Sequence, residues 1–284
     1  MTVHVLIPVF NRLPLTQRVL RCLHAQQLGE PLNLIVIDDG STDGTADFLG
    51  SQQDLTVLKG DGSLWWGGAI ELGLQHVLQI GNSEDWVLLV NNDTQFDKDF
   101  IQLLVETARA YAPAAVGSII CDEKMPEQVI SIGAALDTWR LKAGDILEHV
   151  RSQDKTSEPH LVDALSGRGT LYPLGAFQKA GTMKPSLLPH YLADYELSVR
   201  VRKSGYRLLV SECATTLSAN EFGNSFQPRN LMEKLFSVRS AYYLPAVLAF
   251  WWQASSIMQK LTLLPRVAFV FLKPRWLRNE NTHR

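Results

Sequence analysis

The chain has 284 residues and a formal net charge of −2, so it can bury a large core and lacks the overall basic field that draws nucleic acid. Cys22, Cys121 and Cys213 lie far apart and leave an odd cysteine over, which argues against both a disulfide framework and a zinc site. A reducing, cytoplasmic setting is the default expectation, and the first residues enter a strand-like run without the basic and apolar pattern of a signal peptide.

Val3 to Val9 reads as a first strand containing Pro8; Asn11 and Pro14 punctuate its exit, and Leu15, Val19, Leu20 and Leu23 then recur at helical spacing. No Gly-x-Gly-x-x-Gly turn and no Gly-Lys-Ser/Thr follows a strand, so dinucleotide and P-loop readings lose their main support. The run Leu34 to Ile37 ends on Asp38-Asp39-Gly40-Ser41-Thr42-Asp43-Gly44, a loop of turn formers that can also cap the next helix. A third run, Leu55 to Leu58, leads through Gly60, Asp61 and Gly62 to Trp65-Trp66-Gly67-Gly68, after which Ile70, Leu74, Val77 and Leu78 trace a helix. Paired glycines at a helix start allow close approach of a ligand and leave the first amides free for an anion. The tryptophans suit the face of a sugar or base, with buried packing as the plainer account of each.

Trp86 to Val90 is an apolar run that stops on Asn91-Asn92-Asp93 and is followed by a helix from about Asp99 to Arg109. Such a run reads as a buried parallel strand, and in open α/β sheets ligands sit beyond the carboxyl ends of the strands, which places Asp93 at a ligand. The alternation predicts βαβ units and a mostly parallel sheet.

Pro8-Val-Phe-Asn11, Ile37-Asp-Asp-Gly-Ser-Thr-Asp43, Gly60-Asp-Gly-x-x-Trp-Trp-Gly-Gly-Ala69 and Asn91-Asn-Asp93, in that order, resemble the nucleotide-binding half of family 2 glycosyltransferases of the GT-A fold. The resemblance implies that Asp39 holds the nucleoside and Asp93 reaches a divalent cation, Mg2+ or Mn2+, bridging the donor diphosphate. Pro8, Asp61, Trp66, Gly67, Gly68 and Asn92 would complete the donor pocket.

Cys121 to Glu158 mixes short apolar runs with charges and has no clear period. Order returns at Leu165-Ser-Gly-Arg-Gly-Thr-Leu-Tyr-Pro173, a helix-like Ala176 to Ala180, and Leu187 to Arg207, where Tyr191, Tyr195, Val199 and Arg202 share one helical face. Gly205 ends that helix before a strand from Tyr206 to Val210. This half resembles the family's acceptor region, Glu-Asp-x-Asp/Glu-Leu-x-x-Arg: Asp194, Glu196, Leu197 and Arg200 match, and Ala193 stands for the first Glu. The resemblance makes Asp194 the catalytic base; Arg168, on the donor side, and Arg200 are candidate auxiliary cations, Glu196 and Arg200 are placed toward the acceptor, and His190, one turn before the base, can contact acceptor or diphosphate. A salt bridge to Glu196 is the plain alternative for Arg200, and a structural role that for His190. Two departures thin the metal ligation: Asp-x-Asp has become Asn-Asn-Asp, and the family's later His is Asn220 in Asn220-Glu-Phe-Gly-Asn-Ser225.

No charged residue occurs from Ser240 to Gln259, and Lys260, Arg266, Lys273, Arg275, Arg278 and Arg284 then face Glu280 alone. Basic charge beside tryptophan and leucine predicts a peripheral contact at the inner face of the cytoplasmic membrane, with packing on the catalytic domain or on a second copy, a homodimer, as the alternative. The expected whole is an α/β protein: a GT-A domain over 1–225, divided into a nucleotide-sugar half 1–120 and an acceptor half 121–225, with a helical extension over 226–284. The function implied is inverting transfer from a nucleotide-diphosphate sugar to a glycan or lipid-linked acceptor in bacterial surface-polysaccharide synthesis. Leu188-Pro-His-Tyr-x-x-Asp-Tyr-Glu196 resembles rhamnosyltransferase-type members and points to dTDP-rhamnose. A non-catalytic, membrane-bound scaffold is the competing reading.

Overall fold

A computed structural model of the chain describes residues 1–147, 158–219 and 226–272; the Asn220–Ser225 motif and the basic residues beyond 272 lie outside the described residues. Four strands, β1 (Val3–Val9), β2 (Leu32–Asp38), β3 (Leu55–Lys59) and β4 (Trp86–Leu89), pair in parallel in the spatial order β3-β2-β1-β4. Helices α1 (Leu13–His24), α2 (Thr45–Gly50), α3 (Trp65–Ile80) and α4 (Phe100–Ala110) alternate with them. The strands carry continuous apolar runs because both faces are covered. Leu6, Ile37 and Leu89 pack toward Ile70, Leu74 and Val77 of α3, whereas Val5, Ile7 and Leu88 pack toward Val19 and Leu20 of α1 and Leu104 of α4.

The sheet continues through β5 (Ala114–Asp122), which also pairs with the short β6 (Val129–Ser131). The segment whose period was unreadable contains β6 and a separate hairpin, β7 (Ala134–Asp137) with β8 (Lys142–Asp145), strands too short to show alternation. After β9 (His160–Leu161), strand β10 (Thr170–Pro173) inserts antiparallel between β4 and β5. Beyond α5 (Leu174–Ala180) and α6 (Ala193–Lys203), β11 (Arg207–Ser218) lies parallel to β5, and β9 closes that edge antiparallel. The expected mostly parallel sheet with flanking helices is therefore present, with β10 as its reversal. β11 runs well past the expected Val210, and α6 begins after Leu192, so Tyr191 precedes the helix on which it was placed.

The tail forms α7 (Leu231–Phe236), α8 (Leu244–Ala254), α9 (Ile257–Leu261) and α10 (Leu263–Leu272). The uncharged run is divided by Ser255 and Ser256; Ser256 and Gln259 make a reciprocal capping box that starts α9. Among the described residues no helix is long and apolar enough to cross a membrane. Ala246, Phe250, Trp251, Leu263 and Val267 instead join the core cluster that holds Leu197, Val199 and Val201 of α6, and the Phe250 ring lies 6.3 Å from that of Tyr195. Phe250→Ala is expected to cost about 3–5 kcal/mol in urea unfolding, because a fully buried ring is deleted. Trp252→Ala, at a 54% exposed neighbour, should stay within about 0.5 kcal/mol.

Candidate active site

In the order β3-β2-β1-β4 the chain leaves β1 in one direction to form β2 and β3 and returns on its other side as β4, so the crevice beyond β1 and β4 is the topological switch point. Pro8 near the end of β1, Asp38 and Asp39 at the end of β2, and Asn91 to Asp93 after β4 all meet this rim. Asp39 is buried and accepts amide hydrogens from Gly62 at 2.8 Å on Oδ1 and Trp65 at 3.2 Å on Oδ2. Its carboxylate thus ties the β3–α3 loop to β2 and keeps spare lone pairs. Asp61 is exposed, and the Ser63 hydroxyl and amide hold its pKa below the ordinary range.

The start of α3 differs from expectation. The Gly67 amide donates to the Pro189 carbonyl at 2.7 Å and the Gly68 amide to Leu64 at 3.0 Å, so neither is free for an anion. A Cβ on Gly67 would stand 2.5 Å from the Leu188 carbonyl oxygen; the absent side chain serves packing against segment 185–190. The Trp66 indole donates through Nε1 to Asn91 Oδ1 at 2.8 Å, and its ring lies against Gly167, where a Cβ would approach Cζ2 to 2.2 Å. The Gly167 amide in turn donates to Asp194 Oδ2 at 2.9 Å. Asn91, Trp66, Gly167 and Asp194 therefore form one chain of contacts between the β4 rim and α6.

Asp194 lies in the first turn of α6 and also accepts the Tyr195 amide at 2.9 Å. The residue keeps some accessible surface, but its carboxyl sits deep. Burial raises its pKa against the opposing pull of the Gly167 and Tyr195 amides and the Arg168 charge. Arg168 also donates to Ser218 Oγ at 3.3 Å.

Asp93 meets a cation that sequence reasoning did not single out. Arg12 Nη1 is 3.4 Å from Asp93 Oδ2, and Asn11 and Arg12 both adopt left-handed backbone, φ 56° and 63°. This strained turn is pinned by Asn11 N–H to Ser41 Oγ at 2.7 Å, Thr42 N–H to Asn11 Oδ1 at 2.8 Å and Leu13 N–H to Asp43 at 2.9 Å. The one available signal was position: Arg12 follows directly on the first strand exit. Nearby, the pKa of His190 is lowered by burial and then by the Arg12 charge, and its ring lies 5.8 Å from that of Trp65, which is 37% exposed at the rim. Asp93 Oδ1 and His190 Nδ1 are buried without a hydrogen-bond partner among the described residues, as expected of groups that await a ligand. An orphaned carboxylate oxygen fits one contact to a hard cation; no group of three or more His, Cys, Asp or Glu is gathered for a metal among the described residues.

Three residues point elsewhere. Asn92 is buried and donates to Thr16 Oγ1 in the first turn of α1 at 3.4 Å, which engages its side-chain amide within the protein. Glu196 is buried and takes Arg200 Nε on both oxygens at 2.9 Å and Lys184 Nζ at 3.0 Å. Arg200 also donates to the Ala180 carbonyl at 2.5 Å and the Thr182 carbonyl at 2.6 Å. With every guanidinium nitrogen engaged and both side chains buried, the pair fastens α6 to segment 180–184, the ion-pair alternative for Arg200, and neither side chain is presented to an acceptor by these contacts.

The large, mostly parallel sheet flanked by helices is the architecture of GT-A glycosyltransferases. The family model "Glycosyl transferase family 2" matches residues 4–156, more than half of the chain, and the protein belongs to that family. No match to an individually curated protein was found. Among solved structures, the chain is similar to GalNAc-T7 with UDP, GalNAc and Mn2+ (13% identity, TM-score 0.62, 97% of this chain and 57% of that one). It is also similar to S. aureus TarS (15% identity, TM-score 0.62, 97% and 44%) and to TarS 1–349 in complex with UDP-GlcNAc (15%, 0.59, 97% and 74%). The chain thus spans about half the length of the first two structures, and the likeness is one of fold.

Glu196→Ala is expected to cost about 3–5 kcal/mol in urea unfolding, because it strands a buried guanidinium. Wild-type stability combined with a raised acceptor KM would instead return Glu196 to the acceptor site.

Proposed function

We propose that the protein is an inverting glycosyltransferase that moves a sugar from a nucleoside-diphosphate sugar to a hydroxyl of a glycan or lipid-linked glycan. The observation that carries this reading is Asp194: a carboxylate of raised pKa, oriented by two backbone amides and joined through Gly167 and Trp66 to the rim that bears Asp93. The acceptor oxygen forms a bond to the anomeric carbon as its proton passes to Asp194. The bond from that carbon to the diphosphate breaks, and its electron pair leaves with the nucleoside diphosphate. Asp39 takes the nucleoside through its remaining lone pairs, and exposed Trp65 beside His190 offers an aromatic face to the base or sugar. A divalent cation, when bound at Asp93 Oδ1, would supply charge neutralisation to the departing diphosphate. Arg12 supplies a second cation at the same carboxylate, and Arg168 lies toward Asp194. The rhamnosyltransferase-like string around His190 makes dTDP-rhamnose the first donor to assay, with UDP-GlcNAc, the ligand named in a TarS structure, beside it.

Asp194→Asn should lower transfer by about 10²- to 10⁴-fold with donor binding retained. Wild-type nucleotide binding without turnover on any donor would favour the scaffold reading. Because folding favours the protonated form of Asp194, the base is lost, as pH falls, at a higher pH than for an ordinary aspartate. The ionised form accordingly costs stability near neutrality, and acidification relieves that cost. The acid limb of the kcat/KM profile should thus lie above the usual aspartate range, and Arg168→Gln should move it higher still; an unshifted limb in the variant would separate Arg168 from the base.

Arg12→Ala should reduce turnover by roughly 10²-fold or more and make the remainder more sensitive to EDTA, as expected when one of two charge-stabilising groups is removed. Full turnover with unchanged EDTA response would remove Arg12 from the reaction.

A further inference from the structure

The helical tail presents a second chemical surface, remote from the crevice in composition. In α9 and α10, Gln259, Leu263 and Val267 turn inward, whereas Ile257, Met258, Leu261, Leu264 and Phe269 are 82, 70, 76, 69 and 65% exposed. Scattered exposed apolar side chains are ordinary, but a concentration of this kind on consecutive short helices marks an interaction face. The face extends onto the tip of the β7–β8 hairpin. Arg266 lies 5.4 Å from the Trp139 ring centroid and donates to the Thr138 carbonyl at 2.6 Å, and the Gln259 side chain donates to Thr138 Oγ1 at 2.9 Å. Trp139, 62% exposed, is thereby held beside the helices although it is distant in sequence.

The helices of this face carry no acid, and the one carboxylate at the hairpin tip among the described residues, Asp137, is paired with Arg140 at 3.3 Å. From Ser240 to Leu272 there is no Asp or Glu, and Lys260 lies 5.0 Å from the ring centroid of exposed Trp252. Lys203, which donates to the Gln253 carbonyl at the end of α8, has its pKa lowered by burial and then by the positive charges of Lys260 and Arg202. A crowded cationic rim around exposed Trp, Ile and Leu side chains is complementary to the headgroup layer of an anionic bilayer, where tryptophan is favoured and each nearby basic residue adds attraction.

We propose that this face, α9, α10 and the Trp139 hairpin tip, docks the protein on an anionic membrane surface, lying in the interface without spanning it. The docking does not depend on the proposed reaction, and the helices that carry the face join through Leu263 and Val267 the same core cluster as α8 and α6.

The test is flotation of the full chain with phosphatidylcholine vesicles containing phosphatidylglycerol, against phosphatidylcholine alone, at low and high salt. Wild type should float with the anionic vesicles and be released by salt. Ile257→Ser with Leu261→Ser, and separately Trp139→Ser, should each weaken partition by about tenfold or more, since each removes apolar surface worth about one decade or more on burial. These positions are exposed, and unchanged melting of the variants would confirm that the fold is intact. Wild type that ignores anionic vesicles, or variants that float as wild type does, would overturn the proposal. So would a wild-type dimer in sedimentation velocity that the variants convert to monomer without any vesicle binding, since the face would then join two copies of the chain.

Discussion

Everything at the site depends on how closely the Trp66 ring can approach the backbone at Gly167. A single methyl there would fall 2.2 Å from the indole, so any side chain would push the tryptophan away or displace the loop before β10. With hydrogen at that position, the indole fills the space between the two halves of the sheet and reaches Asn91, while the amide of the same glycine fixes Asp194. Gly67 plays the matching part from the other side by admitting the Leu188 and Pro189 carbonyls, which carry the chain toward His190 and α6. Two close backbone approaches thus hold three segments of distant sequence together, and the base proposed at Asp194 needs such a fixed geometry to meet a hydroxyl.

The acidic residues of α6 divide along the helix surface. Successive residues are about 100° apart, so Asp194 and Glu196 stand on nearly opposite sides, while Glu196 and Arg200 are one turn apart on the same side. One string therefore carries two unlike devices. Asp194 faces the loop at Gly167 and retains a raised pKa. Glu196 and Arg200 lie in the protein, paired with one another and with backbone carbonyls, and set the angle at which α6 meets segment 180–184. Such a buried pair is weak support for stability when complete and costly when broken, which suits a positioning role.

The rim was legible in the sequence because each parallel strand is a continuous apolar run that stops on a carboxylate or amide, as at Ile37-Asp38-Asp39 and Val90-Asn91-Asn92-Asp93. What stayed hidden was whatever joins residues far apart in sequence. Asn91, Trp66 and Asp194 are each readable as polar or aromatic, but nothing in their spacing says that they meet through Gly167. The paired glycines at 67 and 68 suggested an anion cradle, and the same absence of side chains serves packing instead. Arg12 was hidden by its backbone: consecutive left-handed residues are disfavoured outside glycine, and neighbouring loops decide whether they occur. The strands between Val129 and Asp145 were illegible for a simpler reason, being too short to display a period of two.

Asp93 shows why the thinned acidic motif is still compatible with the proposed chemistry. Its pairing with Arg12 is exposed on both sides, 59% for the arginine side chain and 32% for the aspartate, and an exposed pair of this kind is worth only about 0–1 kcal/mol. The guanidinium can therefore transfer from the carboxylate to an incoming diphosphate at little cost, and the phosphate geometry suits it better than a single oxygen does. The same movement would free Oδ2 beside the orphaned Oδ1, and both oxygens of Asp93 would then be available to hold a divalent cation, which would supply charge neutralisation. In the proposed reaction metal and arginine share one task, and the need for metal is graded by how much of the diphosphate charge Arg12 already neutralises.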